Sequence, residues 1–453
     1  MNSPRRIHFP TDIHLRPRSS GSAVPLTAMQ LYYWNYIAEH GGRAQRNVWA
    51  VRRIVGPLQI QLLKKALEFL VIRHETLRTR IAVAAGVPTQ TIDADRSCTL
   101  EVLDLSEIHT GRREQELERL CKEFLAEEID PTVGPLFAAR LFRLSGEESV
   151  LLFALDHLIS DRASNVIIHN ELWTLYQQAV QGASLQLPEL PVQFADYAIW
   201  QHETYAALRA DHEEYWRGRL SGIAPIKLPQ DGTGSDHQEP VYLVSEFPFG
   251  TELTAELVKL ARNERTLLPY VVLAVYALAM ARWCKRGDLL ILFLTHARYR
   301  PETKSLVGFL ASVLPLRINI EEGDGASSFL NRVNQEVCSA FAHLDFDWSD
   351  RSALLEAMTE IGFNWIPSDA MTKPLTITSE TEIPLSIEPF GLTVHWPYPL
   401  VIFFYDAKAE VILKITYRPD AYSSPTIDLF GHDLLECAET FVHRPLDPIS
   451  MIR

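Results

Sequence analysis

LFAARLFRLSGEESVLLFALDHLISDRASNVIIHNELWTLYQQAV, residues 136–180, is the stretch whose reading decides the fold. Two apolar runs, LFAARLFRL and SVLLFALD, flank SGEE, which reads as a β-hairpin. The second run ends at Asp156, and HLISDRASN follows at once. From Val166 apolar residues recur at helical spacing through Val180. A buried strand therefore delivers His157 to a short loop at the start of a helix. Such a loop has rigid support behind it and an open end in front, which suits a reacting side chain.

Outward from this stretch, strand and helix patterns alternate. Pro25-Leu26-Thr27 opens a helix that Gly41-Gly42 stops, with Thr27 as its N-cap. VWAVRRIV (48–55) reads as a strand. In the next helix Leu62, Leu63, Ala66, Leu67 and Leu70 share one face. A strand near 99–105 and an amphipathic helix over 112–128 lead back to the hairpin. GASLQLPELPV (182–192) is a Pro-containing linker. Beyond it come a long helix through DYAIWQHETYAALRADHEEYWRGRL, a strand at 242–249, helices near 251–263 and 267–284, strands at 288–297, 403–406 and 411–419, and a last helix near 426–442. The pattern predicts a mixed α/β (α+β two-layer) protein: a loose basic arm over 1–22, one lobe over 23–182 and a second over 183–453. No short repeat, heptad array or low-complexity run interrupts it.

The 453 residues are 47% hydrophobic and 22% charged, an ordinary globular balance. A net charge of -14 argues against nonspecific nucleic-acid binding, which needs a basic footprint. Cys98, Cys121, Cys284, Cys338 and Cys437 are scattered with no CxxC spacing, which predicts reduced thiols and no zinc site. The N-terminus lacks the apolar run of a secretory signal, so a cytoplasmic protein is expected. LLPYVVLAVYALAMARW (267–283) is short for a bilayer and reads as a buried core helix.

Scans for a phosphate loop, for HExxH or other metal-ligand spacing and for a GxSxG elbow are empty. His157 stands out by its setting alone, with Asp156 and Asp161 close in sequence. A neutral imidazole beside a carboxylate can take a proton near pH 7. Asp161 could equally bind an arginine and lock the loop.

DHLISDRAS resembles the HHxxxDG motif of condensation domains of nonribosomal peptide synthetases, in the chloramphenicol acetyltransferase-like superfamily. Other segments resemble that family in the same order along the chain. LTAMQLYYW (26–34) is similar to its opening helix, and RHETLRTRI (73–81) to its RHExLRTxF. FADYAIWQHE (194–203) and YWRGRLSG (215–222) resemble DYAxWQ and YWxxxLxG. THARYRPETKSLVGFLASVLPLRI (295–318) resembles a Gly-Arg segment followed by xxPE and GxFxNTLPLR. AFAHLDFDW (340–348) resembles AxxHQDxPF, and ITYRPDAYS (415–423) a YxxDLF stretch.

The resemblance implies two acyltransferase-like lobes in a V shape with an active-site tunnel at their seam. Acyl or peptidyl carrier proteins of an assembly line would present thioesters on phosphopantetheine arms, with a small-molecule acceptor as an alternative nucleophile. The protein would need no cofactor or metal of its own and form no acyl-enzyme. No adenylation or carrier segment is evident, so a stand-alone enzyme forming an amide or ester, in peptide or polyketide chain release for instance, is expected. His157 matches the histidine that orients or deprotonates the nucleophile. Asp161 matches the motif aspartate, with a structural role, and Arg298 its ion-pair partner. Carrier proteins are usually acidic, so the arm with Arg5, Arg6, Arg16 and Arg18 is a candidate contact.

The chain departs from the pattern at Asp156 for the first motif histidine, Arg162 for the motif glycine and Ser312 for the asparagine of GxFxNTLPLR. A late RDxSRNP segment is not evident. Asp156, Arg162, Ser164 and Ser312 are candidates for the substrate channel. Arg162 would crowd the acceptor entrance or attract a carboxylate-bearing acceptor. Asp156, Asp161 and Ser164 also satisfy the DxxxxDxxS of heterocyclization domains. Two alternatives therefore stay open: a catalytically impaired domain that recruits carrier proteins or tailoring enzymes, and a heterocyclization domain.

Overall fold

Alternate residues of the strand Glu148–Leu155 enter two different cores. Leu151, Phe153 and Leu155 join one cluster with the helices Ile60–Arg73 and Arg162–Val180, while Val150, Leu152 and Ala154 join another with the helix Thr110–Ala126. A strand covered on both faces reads as an unbroken apolar run, which is why its sequence lacks polar alternation. The computed structural model describes residues 14–19, 21–39, 41, 44–45, 48–95, 100–232, 241–321, 323–344, 346, 359–368, 375–377, 385–389, 398–444 and 448. Arg5, Arg6, Cys98 and most of the 345–358 stretch lie outside the described residues.

The sheet around that strand has six strands in the order Leu375–Ile377, Leu385–Pro389, Val48–Val55, Glu148–Leu155, Phe137–Arg143 and Leu100–Asp104. The hairpin read from SGEE pairs antiparallel, with Phe137 opposite Leu155. Two of the six strands come from far beyond residue 182. Ile377, Leu385 and Ile387 are buried in the first lobe's core, so the strands Leu375–Ile377 and Leu385–Pro389 of the second half complete the first lobe.

The second lobe is built on two sheets. One has the order Leu243–Pro248, Val411–Tyr417, Leu400–Asp406, Trp365–Ile366; the other has Ser312–Asn319, Asp288–Thr295, Gly362–Phe363. Residues 361–366 join them: Leu292 N–H donates to the Ile361 carbonyl, and Phe404 N–H to that of Asn364. The helix Leu268–Cys284 runs through this core with every residue from Val271 to Ala281 buried. Its apolar circumference is that of a helix packed on all sides. Among the described residues no single helix is long and apolar enough to cross a membrane.

The long helix Phe194–Leu220 spans both halves. Ala195 and Ala198 pack beside Val24 at its start, and Trp216 near its end donates to the His343 carbonyl in the second lobe's core. The 1–22 arm, expected to be loose, is anchored at Leu15 and Arg18. Leu15 is buried with Val192, Phe194 and Trp200, and Arg18 pairs with Asp196 at 2.9 Å and Glu75 at 3.0 Å. Its guanidinium already has two carboxylates, so Arg18 is not an open contact for an acidic partner.

Buried His169 and half-buried His343 give the fold an acid limit. His169 accepts from the indole N–H of Trp173 at 3.2 Å; burial, reinforced by Arg52, pushes its pKa down to about 3. Burial, with His212 alongside, pushes His343 down to about 4. Above their ordinary value of 6.5 both are neutral, folded or unfolded, and their contribution is fully present. Below it the unfolded chain takes up protons that the folded chain refuses, so stability falls from pH 6.5 toward 4 and then 3. Urea midpoints should therefore be level above neutrality and drop on acidification, with His169→Gln losing part of the dependence. An equal slope in that variant would remove His169 from the account.

Candidate functional site

Local bonds shape the turn that follows the buried strand. Asp156 caps the short helical turn His157–Ile159, its carboxylate accepting from the Leu158 N–H at 2.7 Å. Its own N–H donates to the Leu136 carbonyl, and Ser160 Oγ donates back to the Asp156 carbonyl. From the opening helix Ala28–Glu39, Gln30 Nε2 reaches the Leu158 carbonyl at 2.6 Å. Gln30 is itself locked to Thr27 in both directions, by Gln30 N–H to Thr27 Oγ1 and Thr27 N–H to Gln30 Oε1. The turn is thus tied from within and from the first helix.

His157 is half-buried on this turn. Its Nδ1 lies 3.1 Å from the Ser160 carbonyl, which can only accept. The neutral ring therefore carries its proton on Nδ1 and its lone pair on Nε2. Burial lowers the imidazole below its ordinary 6.5, against the opposing pull of the Ser160 carbonyl and the Asp161 charge. An unprotonated Nε2 near neutral pH is what a general base requires.

Asp161 is turned away from the imidazole and takes six bonds. It is the N-cap of the helix Arg162–Val180, in a capping box with Ser164. One carboxylate oxygen accepts from Ser164 N–H, Ser164 Oγ and Arg298 Nη2 at 2.8, 2.8 and 2.9 Å. The other accepts from Arg298 Nη1 and from the N–H groups of Leu310 and Ala311 at 2.7, 3.1 and 2.9 Å. Burial pushes this carboxyl up, but Arg298 and Ser164 outweigh it and hold it below the usual range. Arg298 also donates to the carbonyls of His296, Leu306 and Gly308. The pair joins the histidine loop of one lobe to the 296–311 segment of the other through buried, charge-assisted bonds.

Arg298 is aimed by an unusual backbone. Ala297 sits at φ 50, in the left-handed region that costs a residue with a Cβ of order 1 kcal/mol. The His296 ring accepts the Arg298 N–H at 3.1 Å and steadies this corner.

The remaining candidates fall in different places. Asp156 and Ser164, expected along a channel, are both 0% exposed. Each is engaged internally, Asp156 on its turn and Ser164 between Asp161 and the backbone of Gly308 at 2.9 and 3.0 Å. Arg162 is exposed on the first turn of its helix. Its charge reaches Tyr405 of the second lobe, where burial raises the phenol and Lys414 and Arg162 oppose the rise. Ser312 is half-buried at the start of its strand, paired with Thr295.

Sequence reasoning missed Tyr33 and Phe309. The Tyr33 ring lies 5.7 Å from that of His157, edge-on at 73°, and the Phe309 ring 5.0 Å away at 33°. Tyr33 lies within the LTAMQLYYW helix, but nothing in the sequence says that the helix crosses over position 157. Among the described residues no group of three or more His, Cys, Asp or Glu side chains could hold a metal ion.

Comparison with known proteins matches residues 21–453 to the family model described as Condensation domain. Gramicidin S synthase 2 of Brevibacillus brevis is 25% identical over 97% of this chain, which spans 10% of that protein. Phosphinothricin tripeptide synthetase PhsC of Streptomyces viridochromogenes is 32% identical over 73% of this chain and 30% of its own length. The chain thus covers a small part of the synthases it resembles. Among solved structures, the X-domain from teicoplanin biosynthesis is similar with a TM-score of 0.79 at 22% identity, covering 97% of this chain and 99% of that one. The first condensation domain of the calcium-dependent antibiotic synthetase, in complex with a substrate analogue, is similar at 0.73 and 19%, covering 95% and 98%.

Proposed function

The chain belongs to the condensation-domain family, and from that premise we propose that it transfers an acyl group from a phosphopantetheine thioester on a carrier protein to an amine or hydroxyl. The observation that carries this reading is the His157 imidazole. It is held in one tautomer by Ser160, kept neutral by burial, and set where the Asp161–Arg298 pair joins the two lobes.

In this mechanism His157 Nε2 accepts the proton of the acceptor's N–H or O–H as its lone pair attacks the thioester carbonyl. A C–N or C–O bond forms. When the tetrahedral species collapses, the C–S bond breaks and the imidazolium returns its proton to the leaving thiolate. Asp161 and Arg298 act by holding the loop; both are saturated with bonds to each other and to backbone. Exposed Arg162, whose charge acts on Tyr405 of the second lobe, fits the acceptor side of the tunnel that the resemblance implies.

The altered motif favours a second reading. With Asp156 and Arg162 at positions where the family has histidine and glycine, the domain would recruit carrier proteins or a tailoring enzyme without turnover. An X-domain of this fold has been solved as a complex with OxyB.

Intact-mass measurement of an acyl-loaded carrier protein with a panel of amines and alcohols separates the two. Transfer predicts loss of the acyl mass from the carrier and a new amide or ester. Carrier binding with the acyl group retained against every acceptor would replace transfer by recruitment.

A further inference from the structure

We infer that Tyr33 and Phe309, approaching the His157 ring from two separate elements, position that imidazole and keep water from it. The inference deepens the reading of His157 as the base, and it stands on ring geometry. Tyr33 meets the imidazole edge-on at 5.7 Å and Phe309 lies tilted over it at 5.0 Å; the two aromatic rings are 6.3 Å apart at 88°. With Nδ1 fixed by Ser160, these contacts leave the ring little freedom to turn about its χ angles.

Both aromatic rings are themselves fixed. Phe309 is 7% exposed and packs in a cluster with Leu15, Tyr197, Trp200, Leu306 and Leu310. The two residues after it donate their N–H groups to Asp161, so the clamp that joins the lobes also sets the height of Phe309 over His157. Tyr33 follows Gln30 by one helical turn, and Gln30 holds the Leu158 carbonyl. Sliding of the first helix, which would carry the phenol with it, is opposed by that bond. Two independent tethers therefore converge on one imidazole, the support a reacting group needs to stay within a few tenths of an ångström of its working place.

The electrostatic consequence follows from what surrounds the ring. On its own loop the Ser160 carbonyl and the Asp161 carboxylate favour the protonated form. The first helix presents the Tyr33 phenol and the 308–311 segment the Phe309 ring; the Arg298 guanidinium lies across Asp161, bonded to it. The aromatic pair thus adds to the apolar surroundings whose burial outweighs the carbonyl and the carboxylate.

The test is a histidine NMR titration of the whole chain, which needs no substrate. Tyr33→Ala and Phe309→Ala should each raise the His157 pKa toward 6.5, while Tyr33→Phe and Phe309→Leu should hold it near the wild-type value. The acid limb of kcat/KM for acyl transfer should shift by the same amount. Should Phe309→Ala not fold, half-buried Tyr33 carries the measurement alone. A His157 pKa unmoved in folded Tyr33→Ala, or moved equally by Tyr33→Phe, overturns the inference. A pKa that moves as expected in a protein that discharges no loaded carrier supports the positioning and removes the base.

Discussion

His157→Ala is expected to slow acyl transfer roughly 100- to 10,000-fold, the range that a well-placed general base contributes. The fold should persist, because the turn is held without the imidazole, by Asp156, Ser160 and Gln30. The loss should appear in kcat, since the proton moves only as the C–N or C–O bond forms. Single-turnover discharge of an acyl-loaded carrier, followed by intact mass, measures it. Unchanged turnover in a folded variant would take His157 out of the mechanism and leave its loop as scaffolding.

Arg298→Ala is expected to destabilise the protein by about 3–5 kcal/mol, the cost of leaving a buried charge without its counter-ion. The size follows from what remains. Asp161 would keep three backbone N–H donors and the Ser164 hydroxyl, but no cation, at 2% exposure. Arg298→Lys should recover only part of the loss, because an ammonium cannot make the paired contacts at 2.7 and 2.9 Å and reach the carbonyls of Leu306 and Gly308 as well. Urea denaturation gives the number, and a loss under about 1 kcal/mol would rank the pair with exposed ion pairs. Activity should fall with stability, since the same residues seat the loop that carries His157.

The sequence made local features legible where the physics is local. The SGEE hairpin, the helix opened by Thr27, the apolar helix near 267–284 and the strand leading to His157 all follow from spacing and capping. What it concealed depends on partners distant in the chain. A carboxylate at position 156 reads alike whether it faces a channel or caps its own turn, and only the 2.7 Å bond to Leu158 N–H decides. Arg18 read as part of a free basic arm because Asp196 and Glu75, which pair with it, belong to other elements. Arg298 could be matched to Asp161 by resemblance, but the N–H groups of Leu310 and Ala311 that complete the carboxylate's shell come from backbone, on which side-chain identity is silent.

The strand Leu385–Pro389 carries a consequence for how the protein is made. It seals the flank of Val48–Val55, with Ile387 opposite Ile54. During synthesis that flank must wait, with its amides and carbonyls bare, until the distant strand has left the ribosome. An unsealed border of this kind invites pairing with other chains, and late closure of so distant a contact slows folding. Chaperone demand in the cell should therefore be set by the second half of the chain, whose emergence ends the exposure of the first.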